Sequence, residues 1–263
     1  MKTLMIGDIV GKGGRKTLKI VLPEIIKKEK IDFVIAQGEN SAGGFGLTKK
    51  ISNEFFDSGV NVITSGNHIW DKPDIYDELD KINSKVLRPH NYPLDKPGTG
   101  IYFNNNLAVI NLLGSVWMGK VDSPFNLIGS LLDDLPNVPI FLDFHAEATS
   151  EKAAMAWYLD GKISALVGTH THVATSDNKI LPSGTAFVSD LGMVGAKNSI
   201  LGMDKDASIS RFFNGKRNRM TPIEKGEMIF NSVLIETDNL SKKAVSISRL
   251  DKEIIIWCLQ IYI

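Results

Sequence analysis

Five apolar segments of the sequence each end in polar side chains that can bind a metal ion. The segments are residues 4–7, 34–38, 62–66, 140–144 and 166–169. If they are strands of an open α/β sheet, their carboxyl ends lie at the edge of the sheet where ligands bind. We therefore expect one site that gathers the side chains following these segments, namely Asp8, Glu39, Asn40, Asn67, His68, His145, His170 and His172.

The distribution of histidine strengthens this expectation, because four of the five histidines follow these segments and only His90 lies elsewhere. Imidazole and carboxylate ligands suit Fe, Mn, Co, Zn or Ni. Two such ions about 3.5–4 Å apart can clamp the attacking and leaving oxygens of a phosphoryl displacement. Glu39 is the candidate bridging ligand, since Asn40 follows it at once. In an extended segment His170 and His172 point to opposite sides, so each can serve a different ion.

Strands and helices that would position these side chains alternate along the chain. Short apolar strands are predicted at residues 3–7, 33–37, 60–65, 107–112, 139–144, 165–168 and 186–189. Amphipathic helices are predicted at residues 15–28, 47–58, 123–135 and 151–159, with Pro23 kinking or ending the first. Residues 229–236 and 244–249 suggest a terminal antiparallel pair, and residues 192–227 a long loop or insertion. This alternation indicates one α/β domain with helices on both sheet faces.

Composition excludes several classes of protein. Lys plus Arg and Asp plus Glu both number 30 in the 263 residues, so no global basic field attracts long nucleic acid. Cys258 is the only cysteine, which excludes an internal disulfide and a cysteine-based zinc site. The first residues lack the features of a signal peptide, and the longest uncharged apolar run, residues 254–263, is too short to span a bilayer. We expect a cytoplasmic protein without a membrane partner.

The segments that carry these side chains also match the motifs of a known family. They are Gly38-Glu39-Asn40, Gly66-Asn67-His68, Asp143-Phe144-His145-Ala146-Glu147 and Gly168-Thr169-His170-Thr171-His172. From residue 7 to about residue 250, the sequence resembles the YmdB-like bacterial phosphodiesterases of the calcineurin-like metallophosphoesterase superfamily. Val10 and Glu39 stand where most of the superfamily has His and Asp, and the YmdB-like group shares both departures.

The resemblance implies a single metallophosphoesterase domain over residues 1–263, an α/β sandwich with mixed β-sheets flanked by helices. It implies two divalent or mixed-valence metal ions, and Fe, Mn and Zn all fit. Asp8, Glu39, Asn40 and His172 would bind one ion, and Glu39, Asn67, His145 and His170 the other. His68 would be the general acid rather than a ligand. The substrates implied are small phosphodiesters, including 2′,3′-cyclic nucleotides and 3′,5′-cyclic AMP.

The expected reaction is in-line attack on phosphorus by a hydroxide that bridges the two ions, with His68 protonating the leaving oxygen. Metal binding lowers the pKa of such a water toward about 7. Asp143 and Glu147, which flank His145, are expected to form hydrogen bonds around the ligands or to cap a helix. Two other functions stay open: a non-catalytic regulatory protein that binds a nucleotide or a partner, and a nuclease that acts on structured RNA.

Four further segments each have two interpretations. Glycine-rich residues 7–14 form either a tight turn into a helix or a phosphate contact through Lys12 or backbone amides. Residues 41–47 either let the backbone approach a substrate or merely turn the chain. The tail, residues 254–263, is either a packed edge strand or the self-association surface of a homo-oligomer. The basic cluster forms either a solvated face or the edge of a cavity that attracts phosphate, and it consists of Lys205, Arg211, Lys216, Arg217 and Arg219.

Overall fold

The structure, a computed structural model, describes residues 1–215 and 220–257. Its helices are α1 (Gly11–Glu29), α2 (Lys49–Asp57), α3 (Tyr76–Leu79), α4 (Pro124–Asp133), α5 (Thr149–Tyr158) and α6 (Lys205–Asn214). Its strands are β1 (Lys2–Ile6), β2 (Asp8–Ile9), β3 (Phe33–Gln37), β4 (Val62–Thr64), β5 (Ile101–Phe103), β6 (Ala108–Leu113), β7 (Ile140–His145), β8 (Ala165–Thr169), β9 (Lys179–Ile180), β10 (Ala186–Val188), β11 (Met193–Ala196), β12 (Gly226–Phe230), β13 (Ser232–Thr237), β14 (Ala244–Arg249) and β15 (Lys252–Ile256). No described helix combines the length and the apolar composition needed to cross a bilayer.

The strands form three mixed sheets. The first has the order β14-β13-β1-β3-β4, in which β1, β3 and β4 run parallel. The second has the order β5-β6-β7-β8-β10-β9, parallel from β6 to β10 and antiparallel at both edges. The third is smaller, with the order β15-β12-β11-β2. In the two larger sheets, the parallel strands that precede the predicted ligands therefore each end at a common edge.

The two larger sheets pack face to face. Met5 and Ile35 of the first sheet share one buried core with Phe141 and Val167 of the second. Helices α1 and α2 cover the outer face of the first sheet, while α4 and α5 cover the outer face of the second. This sandwich of mixed sheets flanked by helices confirms the predicted fold class. The alternation of elements alone had indicated one sheet with helices on both faces. Instead, each of the two larger sheets has helices on one face and packs against the other sheet with its second face.

Three predicted elements differ in part from the structure: the bounds of the first helix, the loop at residues 192–227 and the single strand at residues 229–236. Helix α1 begins at Gly11 and continues through Pro23, which faces solvent while Leu22 and Ile25 on the opposite side are buried against the sheet. Residues 192–227 are not one loop, because they contain β11 and α6. Residues 229–236 are not one strand, because Asn231 divides them between β12 and β13, which belong to different sheets.

The predicted terminal pair and part of the tail are found in the sheets. Strand β13 pairs antiparallel with β14, as predicted. Strand β15 pairs antiparallel with β12 at the edge of the third sheet. The edge-strand interpretation therefore holds for residues up to 256, while residues 258–263 of the tail lie outside the described residues.

Candidate metal centre and active site

The predicted ligands follow the strands as the sequence indicates. Asp8 directly follows Gly7 after β1, Glu39 lies two residues beyond β3, and Asn67 three residues beyond β4. His145 is the last residue of β7, and His170 is the first residue after β8. Because the two sheets pack face to face, side chains from both edges meet in one place.

Glu39, His145 and His170 form the centre of this group. The Oε1 atom of Glu39 lies 2.9 Å from Nε2 of His145, which in turn lies 3.1 Å from Nδ1 of His170. One atom from each of the three side chains falls within 4.8 Å of the others, a spacing compatible with ligands of a shared metal ion. Within the described part of the chain, this is the group of His, Cys, Asp and Glu residues that meets that condition.

Asp8 extends the group toward His172. Its Oδ1 atom lies 3.6 Å from Nε2 of His172, and its Oδ2 atom accepts a 3.2 Å hydrogen bond from the backbone N–H of His170. The His172 side chain thus approaches Asp8, whereas the His170 side chain contacts His145 and Glu147, although the segment is not extended as assumed from the sequence. The contacts divide the predicted ligands into a group around His145 and a group around Asp8.

Three buried oxygen atoms in this region have no hydrogen-bond partner among the described residues. They are Oδ1 of Asp8, Oδ1 of Asn40 and Oδ1 of Asn67. Burial of an unpaired acceptor costs roughly 1–3 kcal/mol, so each such atom requires an explanation. Oxygen and imidazole nitrogen are donors that Fe, Mn and Zn accept, and bound cations would satisfy these oxygens. The residues present therefore fit a metal centre.

Neighbouring polar groups fix the orientation of His145. Its Nδ1 atom lies 2.9 Å from Oγ1 of Thr169 and 3.0 Å from Nε2 of Gln37. The Thr169 hydroxyl donates to the buried carboxylate of Asp143 at 2.7 Å, so its oxygen can accept from Nδ1–H, whereas the Gln37 amide can donate to Nδ1 only when that nitrogen carries no proton. This arrangement keeps Nε2 of His145 directed at Glu39. The hydrogen-bonding role predicted for Asp143 is consistent with these contacts.

Residues 170–172, the histidine loop, have an unusual backbone. His170 and His172 adopt φ angles of 105° and 64°, a region that is unfavourable for residues other than glycine. The carboxylate of Asp190 holds the loop by accepting a 3.0 Å hydrogen bond from the N–H of Thr171. Asp190 is itself paired with Lys152 at 2.9 Å, and both side chains are almost fully buried.

Gly66 shows how closely the chain packs on the ligands. A Cβ atom at Gly66 would lie 2.2 Å from Cδ2 of His145, so a side chain there would displace the imidazole ring. Glu147, on the other side of the group, brings its Oε2 atom to 3.0 Å from Nε2 of His170. That contact agrees with the hydrogen-bonding role expected of Glu147.

His68 stands beside the predicted ligands rather than among them. Its backbone N–H donates to Oε2 of Glu39 at 2.8 Å, and its Nδ1 atom lies 2.9 Å from Oδ2 of Asp71. The Phe45 ring contacts the imidazole edge-on, with a centroid distance of 4.9 Å. Nδ1 is thus occupied by Asp71, and the side chain lines the open cavity next to Glu39.

The charges of the central group are strongly coupled. Burial alone would raise the pKa of Glu39, but the charge and hydrogen bond of His145 outweigh burial and lower that pKa to about 2. Burial opposes the charge on His145, yet Glu39 and Asp8 raise the pKa of His145 to about 9. Burial, reinforced by the charge of His145, lowers the pKa of His170 to about 3. Glu39 and His145 therefore form an ion pair in the metal-free protein, while His170 is neutral.

A cavity of about 450 Å³ opens over this centre. Its polar side is lined by Glu39, Asn40, His68, His170 and His172, while the rest comes from residues 45, 200, 201, 203, 208, 211, 212 and 220. Of the basic cluster, Arg211 lines the cavity and Lys205 is exposed on α6. Lys216, Arg217 and Arg219 lie outside the described residues.

The structure also separates the interpretations of the two glycine-rich segments. In the first, α1 begins at Gly11 and Lys12 pairs with Glu224 at 3.3 Å, which favours a turn into a helix. Close packing explains Gly14, where a Cβ atom would lie 2.3 Å from the Val194 carbonyl oxygen. In the second segment Phe45 lines the cavity, so this turn contributes a side chain to the site.

Sequence reasoning missed several residues of the site. Gln37 and Asp71 hold His145 and His68, and Lys152 with Asp190 holds the histidine loop. A signal existed for Gln37, a polar residue inside an otherwise apolar strand, and for Asp71, three residues after His68. No comparable local signal marks the Lys152–Asp190 pair, because the two residues are 38 positions apart.

The fold and this centre define the chain as an enzyme of the metallophosphoesterase class. Residues 4–250 match the model of the YmdB-like protein family, and the chain belongs to that family. This confirms the resemblance found in the sequence and the prediction of a phosphodiesterase.

Individual relatives agree with this assignment. The chain is 46% identical over 256 residues to a protein of Bacillus subtilis (strain 168) named 2′,3′-cyclic-nucleotide 2′-phosphodiesterase, covering 95% of this chain and 96% of the relative. A hypothetical protein of Thermus thermophilus has a crystal structure that superposes with a TM-score of 0.90 at 35% identity, covering 96% of this chain and 99% of the other. The crystal structure of a novel phosphatase of Mycoplasma pneumoniae also gives a TM-score of 0.90, at 31% identity and coverages of 96% and 93%.

Proposed function

We propose that the chain hydrolyses small phosphodiesters, 2′,3′-cyclic nucleotides above all, at a centre of two metal ions. The observation that carries this proposal is the meeting of Glu39, His145 and His170 near three unpaired buried oxygens, at a cavity that Glu39 and His170 line. The activity named for the Bacillus subtilis relative supports the choice of substrate. 3′,5′-Cyclic AMP is a further proposed substrate, because its phosphodiester has the same charge and similar size.

The ligand sets proposed for the two ions are supported by contacts among the acidic and histidine side chains and by the unpaired oxygens of Asn40 and Asn67. Asp8, Asn40 and His172 would hold one ion, and Asn67, His145 and His170 the other, with Glu39 between them. When bound, such ions lower the pKa of a water molecule and neutralise negative charge on phosphoryl oxygens. In the structure, Nε2 of His145 faces Oε1 of Glu39. The proton on Nε2 must be lost before this nitrogen can bind an ion.

His68 is the proposed general acid for the leaving oxygen. Asp71 occupies its Nδ1 atom and fixes the orientation of the ring, so Nε2 is the nitrogen available to a substrate. Phe45 packs against the same ring and limits its rotation. His68 contacts Glu39 through its backbone N–H and not through its imidazole ring. In this it differs from His145 and His170, whose rings contact the other candidate ligands. A positioned acid of this kind contributes roughly 10²–10⁴-fold in rate.

The decisive experiment compares His68→Ala with the wild type for hydrolysis and for metal content. We expect kcat to fall roughly 10²–10⁴-fold while both ions remain bound, because the backbone N–H that contacts Glu39 is unchanged. Equal loss of metal and activity would identify His68 as a ligand. Lack of turnover in the wild type with Mn²⁺, Fe²⁺ or Zn²⁺ would favour a regulatory nucleotide-binding protein, and cleavage of structured RNA alone would favour a nuclease.

A further inference from the structure

The cavity over the proposed metal centre has a second, apolar wall. Phe45 comes from the glycine-rich turn after β3, while the segment 192–227 supplies the remaining side chains. The apolar wall is formed by Phe45, Ile200, Leu201, Met203, Phe212 and Met220. It is part of the same cavity as His68, so a group attached to a bound phosphodiester can reach it.

Two polar groups along this wall already have partners within the protein. The hydroxyl of Ser208 donates to the backbone oxygen of Asp204 at 2.6 Å. The backbone oxygen of Leu201 lies 3.1 Å from Nδ1 of His172. Apart from the Arg211 guanidinium, the wall therefore offers mainly aromatic rings and methionine thioethers. Such surfaces bind the flat faces of aromatic groups and do so with little selectivity for the pattern of donors and acceptors.

Helix α6 presents one face to the cavity. Ser208, Arg211 and Phe212 are spaced three and four residues apart, as expected of neighbours on a single helical face, and all three line the cavity. Phe212 nevertheless leaves 86% of its surface exposed, so a planar ligand would bury a large aromatic side chain that is now in contact with water. The adjacent Phe213 is 84% exposed and does not line this cavity.

Phe45 connects the apolar wall to the proposed chemistry. Its ring contacts His68 edge-on, and Met203 lies across the same turn, where a Cβ atom at Gly44 would come within 2.7 Å of the Met203 methyl carbon. An aromatic group that stacks on this wall is thereby held next to the proposed general acid.

We propose that the apolar wall is a nucleobase subsite, in which Phe212 stacks on the base of the substrate. This inference rests on the proposed function, because it assigns the base of a nucleotide whose phosphodiester occupies the metal centre. A nucleotide fits this cavity because its phosphate matches the polar side and its base matches the apolar side. The base belongs either to a cyclic mononucleotide or to the 3′-terminal nucleotide of a short RNA.

The test compares two substrates that differ only in the base. These are adenosine 2′,3′-cyclic phosphate and the 2′,3′-cyclic phosphate of 1-O-methylribose, assayed with Phe212→Ala and with the matched control Phe213→Ala. Base stacking on an aromatic residue corresponds to roughly a 5- to 100-fold effect. We expect kcat/KM of Phe212→Ala to fall by this factor for the adenosine substrate and to stay within about twofold of the wild type for the base-free substrate. Phe213→Ala should behave as the wild type with both. Equal losses for the two substrates, or equal losses in the two variants, would overturn the subsite.

A binding measurement keeps the subsite testable if the proposed hydrolysis fails. Calorimetric titration of adenosine 2′,3′-cyclic phosphate into chelator-treated protein requires no turnover. We expect weaker binding by Phe212→Ala than by Phe213→Ala, and equal dissociation constants would contradict the subsite. A trinucleotide ending in a 2′,3′-cyclic phosphate distinguishes the two sources of the base. If kcat/KM is higher for the trinucleotide than for adenosine 2′,3′-cyclic phosphate and still depends on Phe212, the base belongs to an RNA end. If kcat/KM is lower for the trinucleotide, the base belongs to a cyclic mononucleotide.

Discussion

Replacing Lys152 with methionine would test how the histidine loop is held. Lys152 and Asp190 are buried and 2.9 Å apart, so the substitution leaves an uncompensated carboxylate in the interior. Loss of one partner from a buried ion pair costs roughly 3–5 kcal/mol. Asp190 would keep hydrogen bonds from the N–H groups of Thr171 and Gly192, so we expect the lower end, about 3 kcal/mol.

Urea unfolding of the metal-free proteins measures this loss. Lys197→Met is the matched control, because Lys197 pairs with Glu253 at 2.6 Å on the exposed surface and its removal should leave the unfolding curve unchanged. The double variant Lys152→Met with Asp190→Asn removes the stranded charge and should recover part of the loss. An unfolding midpoint for Lys152→Met equal to that of the wild type would refute this view of the pair.

Three further predictions address the centre itself. Gly66→Ala should weaken metal binding roughly 10- to 100-fold, because its Cβ would displace the His145 ring, and metal titration checks this. The control Gly129→Ala should bind metal normally, because its Cβ would make only an ordinary 3.8 Å contact with the Tyr158 hydroxyl. Asn40→Ala should lower the metal content of the purified protein from two ions toward one, and full occupancy would rule Asn40 out as an essential ligand. In metal-free protein, the raised pKa of His145 beside Glu39 gives stability that is complete below pH 6.5 and is lost as pH rises through about 9. A constant urea midpoint over that interval would contradict the predicted ion pair.

The sequence revealed the positions of the predicted ligands because strand ends carry a strong local signal. Each ligand candidate follows a short apolar run, and parallel strands bring such ends to one edge. His145 and Glu39 are far apart in sequence but 2.9 Å apart in the structure, as this rule requires.

Features fixed by tertiary packing were not predictable in the same way. An apolar strand face can be covered by a helix or by a second sheet, so alternation did not reveal that the two sheets face each other. The polar composition of residues 192–227 suggested a loop, although Asp204 caps α6 by accepting a 3.0 Å hydrogen bond from the N–H of Ala207. Pro23 did not end α1, because the buried contacts of Leu22 and Ile25 hold both halves of the helix on the sheet.

Titration of Mn²⁺ into metal-free protein during hydrolysis of adenosine 2′,3′-cyclic phosphate tests the central claim most directly. Glu39 contacts His145, while Asp8 lies beside both His170 and His172, so we expect two ions to be needed. The account predicts no turnover without metal and a rate that saturates at two equivalents per chain. Full activity in the metal-free protein, or saturation at a single equivalent, would contradict it.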